Sequence, residues 1–224
     1  MNRTTAPVVA GLVGAGVLLA VGGNLHPRGS GDEVDDYLAS MLGQSTWAAS
    51  HLTQLIALVL VVPTYLAARR AGVFGRDVDI WLLVAACGST LGAVELIPHV
   101  LASRELDGVV SGTATPILDV HLFLQMFATP ALGLTTAALA LAVARDAGTK
   151  PAWILGGIAA VTGTAYAFAG PLTSLTENVA FTPLFPAQSG LALWMIGTGV
   201  RLALRERERE RESAEREEPA LRAS

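Results

Sequence analysis

Four histidines, His26, His51, His99 and His121, each stand at or about one turn inside the end of a long apolar stretch. Three of them carry polar company at helical spacing: Gln54 follows His51 at i+3, Glu95 precedes His99 at i−4, and Gln125 follows His121 at i+4. Residues three or four apart share a helix face, so each of these stretches presents a short polar stripe. Asp119, two residues before His121, points away from that stripe, toward the loop or a different neighbour.

Imidazole and carboxylate together form a ligand set for zinc, iron or manganese, and a carboxylate beside a ligating histidine orients its ring and raises its basicity. On this reading His51, Glu95, His99 and His121 are metal ligands, supported by His26, Asp119 and Gln125. A second chemistry uses His51 and His121, at matching depth on different helices, as axial ligands of haem b, with Arg28 and Arg104 facing its propionates. A third is proton transfer along Glu and His. A fourth is hydrolysis at a zinc site with an open position for water.

Against all four stands a structural reading. His26, followed by Pro27, reads as an interfacial residue, and His99 as a helix-end residue paired with Glu95. The protein would then be a non-catalytic membrane component, a small transporter or an accessory subunit. No His-Glu-x-x-His, phosphate-binding loop or usable Ser-His-Asp arrangement decides among these, so enzyme activity is left open.

Positioning such residues falls to six apolar stretches, at about 8–25, 47–68, 80–101, 117–144, 152–170 and 188–204. About 20 apolar residues in a helix cross a hydrocarbon core roughly 30 Å thick. Half of the 224 residues are hydrophobic, 52%, and only 15% are charged, which fits an all-α, polytopic membrane bundle of six transmembrane helices. The division expected is a six-span domain over 1–204 and a charged tail over 205–224. The first stretch is read as a span and not a cleaved signal, since a single Arg3 precedes it and no Ala-x-Ala ends it. The lone Cys87 lies within the third stretch and has no partner for a disulfide.

Basic residues resist translocation, and they are lopsided here. Arg3, Arg69, Arg70, Arg76, Arg145, Lys150 and the seven Arg from Arg201 onward fall on one side, against Arg28 and Arg104 on the other. Both termini are therefore expected in the cytoplasm of a cell-membrane protein, with all four histidines at the outer face. A net charge of −4 excludes nucleic acid as a partner; the lipid bilayer, a second copy or a partner membrane subunit are the partners expected.

Glu95 lies about four residues inside the outer boundary. Insertion scales put an acidic residue at mid-membrane at roughly 2.5–3.5 kcal/mol, so this one wants a partner or a proton, and His99 is nearest. In the first outer loop Val34, Tyr37, Leu38, Met41 and Leu42 form one apolar face. Ser30 and Glu33 have capping-box spacing and Gly43 suits a helix end, so a short amphipathic helix should lie on the outer surface, over the site, with Asp32, Asp35 and Asp36 in water.

The loop over 102–116 is polar and contains glycine, and that over 171–187, with Pro171, Pro183 and Pro186, reads as ordered irregular backbone. Consecutive spans should pack as hairpins. Gly88 and Gly92, then Gly156, Gly163 and Gly170, should let helices approach closely, while Pro63 and Pro130 should kink the second and fourth spans. Trp47, Trp81, Trp153 and Trp194, all near span ends, read as interfacial anchors. The similar placement of His26 and His51 on one hairpin and His99 and His121 on the next suggests a two-hairpin repeat. The alternating Arg-Glu tail reads as a solvated, partly helical extension of the sixth span.

Overall fold

A computed structural model describes residues 5–222; Arg3 and the last two residues of the tail lie outside them. Among the described residues every regular element is helical. The chain runs α1 (Thr5–Leu25), α2 (Val34–Leu42), α3 (Trp47–Arg70), α4 (Arg76–Leu101), α5 (Leu106–Ser111), α6 (Pro116–Ala147), α7 (Lys150–Thr176) and α8 (Gln188–Arg222). Six of these are long and apolar enough to cross a membrane, and their apolar windows match the six stretches read from sequence.

The six long helices form a closed ring. Each packs on its neighbour in the chain, α1 on α3, α3 on α4, α4 on α6, α6 on α7 and α7 on α8, and α8 returns to α1. Short connections produce this order, since they leave a helix no reach beyond its antiparallel neighbour. The interior is lined by small and aliphatic side chains such as Val8, Leu12, Leu58, Val61, Leu82, Leu139 and Leu191. The outside is apolar too: Val59, Ile80, Phe123, Ile154 and Val161 are each more than half exposed. An exposed apolar belt of this extent marks a surface that meets something other than water.

Close approach is built where glycine allows it. Gly156, Gly163 and Gly170 all turn toward α6, where a Cβ would run into Ala144, the Gly133 carbonyl and Gln125 respectively. Gly88 does the same on α4 against Ala131 and Thr135 of α6. Pro63 and Pro130 lie within the unbroken runs of α3 and α6.

Several local expectations change. The capping box does not form: Glu33 is the N-cap of α2 without a side-chain bond, and the Ser30 amide instead donates to the Ser40 hydroxyl at 2.7 Å. The loop over 102–116 is largely helical, a 3-10 turn over Ala102–Glu105 leading into α5. Helix α7 runs through Pro171 to Thr176. Beyond it Val179–Ala187 is a 3-10 segment started by Asn178, whose side chain accepts the Ala180 amide at 2.8 Å. Helix α8 continues into the charged tail, where Arg209 and Glu206 pair at 3.3 Å on an exposed face.

Helices α2 and α5 pack together at the end of the ring that carries the histidines. There Met41, Leu42, Trp47, Ala102 and Leu118 make a second small core, separate from the main one.

Candidate metal centre

Helices α1, α3, α4 and α6 stand side by side in the ring, and each of the four histidines lies on or just past the end of one of them, all at the same end of the bundle. The four rings form a row in chain order. Ring centroids lie 4.8 Å apart for His26 and His51, 4.0 Å for His51 and His99, and 3.8 Å for His99 and His121. His51 and His121 are 1% and 2% exposed and Glu95 is 5% exposed, so the row runs from a half-buried rim at His26 into the closed interior.

Each imidazole is held through the same atom. Nδ1 of His51 donates to the Trp47 carbonyl at 2.7 Å, one turn back on α3. Nδ1 of His26 donates to the Pro27 carbonyl at 2.8 Å. Nδ1 of His99 and Nδ1 of His121 both meet Oε1 of Glu95, at 2.9 and 2.6 Å. Carbonyl oxygens only accept, so in His26 and His51 the proton sits on Nδ1 and the lone pair on Nε2, and an ionised Glu95 imposes the same tautomer on His99 and His121. In His51 that Nε2 is buried and has no protein partner.

Two overlapping sets of three side chains could hold a metal ion: His26, His51 and His99, and Glu95, His99 and His121, with ligand atoms in each set within 4.8 Å of one another. Bonds from nitrogen to zinc of about 2.0–2.1 Å require the rings to close by an ångström or so. Burial pushes the His26 imidazole below the usual histidine range, and its hydrogen bond to Pro27 only partly opposes this. A neutral imidazole is the form that ligates.

Trp47 is the residue that sequence reasoning assigned elsewhere. It is 2% exposed and therefore no interfacial anchor; its indole N–H donates to the His99 carbonyl at 3.0 Å, and its ring lies 4.2 Å from that of His51. Trp194 is likewise buried in the main core, whereas Trp81 and Trp153 are exposed as anchors should be. Glu105 was also missed. Its two carboxylate oxygens accept the Ile117 and Leu118 amides at 3.1 and 2.8 Å, capping the start of α6 one turn before His121.

Other expected members lie outside the group. Asp119 is exposed and bonded to the Thr115 hydroxyl at 3.5 Å. Gln125 is buried one turn below His121, against Gly170 of α7. Gln54 faces α8, where its amide oxygen accepts from Gln188 at 2.7 Å, while its own amide donates to Ser50 at 3.2 Å. Arg28 and Arg104 are both exposed, and the Arg28 carbonyl accepts from the Gln44 side chain at 2.8 Å.

Compared with known proteins, the chain matches no family model, no curated protein and no solved structure, so the reading of this group rests on its geometry alone.

Proposed function

We propose that this chain is an integral membrane protein that binds a transition-metal ion at one membrane face, through the Nε2 atoms of His26, His51 and His99. Glu95 and His121 complete the site from the interior side. Both termini lie in the cytoplasm on this reading, so the ion sits in the outer leaflet beneath α2. The observation that supports it is the common anchoring of all four imidazoles through Nδ1, which leaves the Nε2 lone pairs for a ligand, one of them buried without a partner.

Glu95 acts here as the group that fixes two rings and supplies negative charge beside a dication, the arrangement in which carboxylate and histidine cooperate around zinc. Three imidazoles leave a tetrahedral ion one open position, which is the property of a site that binds or activates something. A haem held between His51 and His121 would need its macrocycle where the His99 ring stands between them. A bare ion needs no such rearrangement. A purely structural staple accounts for Glu95 bridging α4 and α6 but not for the unpartnered nitrogen of His51.

Elemental analysis and an absorption spectrum of protein purified from membranes test this. About one zinc, manganese or iron per chain, lost in His51→Ala, is the expected result; a Soret band would replace the ion by haem. Stable protein that takes up no metal on titration would refute the proposal.

A further inference from the structure

At the end of the bundle opposite the histidines, helices α7 and α8 meet along a tight seam. Gly190 packs on Thr162 and Gly197 on Leu155, and one turn further along α8 the Arg201 guanidinium donates to the Thr149 hydroxyl at 2.6 Å. Thr149 is the residue before α7, and its side chain caps no amide there. Arg201 is half-buried, and its neighbours Val200 and Leu204 on α8 are apolar and exposed.

A guanidinium partly withdrawn from water calls for a carboxylate, and this one has a second cation instead. Arg205, one turn on and also half-buried, sets its positive charge against that of Arg201. Among the described residues no carboxylate pairs with either arginine. The acids nearby are engaged elsewhere: Glu206 pairs with Arg209 at 3.3 Å, and the Asp146 carboxylate, three residues before Thr149, lies against Gly75. The first turn of α7 adds Lys150 and no acid. An anion is what this group lacks.

We infer that Arg201 and Arg205 hold the phosphate of an anionic phospholipid at the seam of α7 and α8. Guanidinium donors fit phosphate oxygens, and basic residues where helices leave a membrane attract anionic headgroups. The level suits a lipid better than a dissolved anion. Trp153, one turn along α7 from Thr149, is exposed, as an aromatic at headgroup depth is, and the exposed Ile154, Val200 and Leu204 offer acyl chains an apolar surface beside the charges. On the orientation proposed above this is the cytoplasmic leaflet. The inference rests on the membrane reading of the chain and is independent of the metal.

Native mass spectrometry of the full chain, released from detergent micelles doped with phosphatidylglycerol or phosphatidylcholine, tests this. The parent should retain phosphatidylglycerol about tenfold more strongly. Arg205→Gln, which leaves the bond between Arg201 and Thr149 in place, should lose most of that preference, while Arg209→Gln on the exposed tail should keep it. No preference in the parent, no loss in Arg205→Gln, or an equal loss in Arg209→Gln would overturn the inference. So would displacement of the lipid by millimolar inorganic phosphate, which would make the group a site for a free anion. Alkaline carbonate extraction separates the two readings: a chain released from membranes overturns the membrane reading and the inference together, whereas a retained chain without lipid preference overturns the inference alone.

Discussion

The indole N–H of Trp47 donates to the backbone carbonyl of His99, 52 residues away, at 3.0 Å. That carbonyl belongs to the last turn of α4 and also accepts the Ala102 amide, so the indole supplies its second hydrogen bond. The same tryptophan offers its own carbonyl to Nδ1 of His51, so one residue holds the His51 imidazole and the backbone of His99 on the neighbouring helix.

Trp47→Phe keeps most of the ring and removes the donor. Loss of that bond should cost about 0.5–1.5 kcal/mol of stability, and metal affinity should fall by about tenfold as the His99 ring loosens. Thermal unfolding and titration against a chelating dye measure the two effects. An unchanged melting temperature would show that the indole bond contributes nothing.

Glu95 accepts from His99 and His121 through a single oxygen, Oε1. The amide oxygen of Glu95→Gln can accept the same two bonds, so this variant removes charge and leaves geometry. It should fold like the parent and bind metal about 10–100-fold more weakly. Glu95→Ala removes both bonds and should lose stability as well. Equal metal binding by the Gln variant and the parent would sink the role given to the carboxylate.

Glu105 caps α6 from the neighbouring turn with both oxygens. Glu105→Ala should cost about 0.5–2 kcal/mol, the range for loss of a helix N-cap. His121 sits in the next turn, so its ring should become more mobile. Histidine side-chain NMR linewidths, with and without the substitution, report this directly.

Proton linkage gives a fourth prediction. Burial holds His26 below the ordinary histidine value of 6.5, so the unfolded chain takes up that proton before the folded one. The stability this contributes is whole above pH 6.5 and drains away as pH falls below it. Metal-free protein should therefore melt at lower temperature in mild acid, with a shallower fall in His26→Asn. If the two slopes coincide, His26 takes up its proton equally in the folded and unfolded states, and burial does not shift it.

Much of this architecture can be read from the chain before folding. Runs of apolar residues give the six long helices, and helical spacing puts Glu95 on the face of His99. Spacing does not contain the rotation of an imidazole about its own axis, which decides whether Nδ1 or Nε2 meets a neighbour; that choice is made by Trp47, Pro27 and Glu95 once the helices have packed. Trp47 escaped for a related reason. A tryptophan at a span end has the same local sequence whether lipid headgroups or another helix covers it, and the cover here is built from α2 and α5, far apart in the chain. Asp119 shows the converse, since closeness in sequence to His121 says little when the two residues lie on different sides of α6.

The ring order bears on how the protein is made. The helices that position the histidines, α1, α3, α4 and α6, are complete once residue 147 has been synthesised, before α7 and α8 exist. The last hairpin then seals the circle against α1 and clasps it where Gln188 meets Gln54. During biogenesis the histidine-bearing edge would thus stand assembled while its flank is still open, and the final two helices would decide when that opening closes.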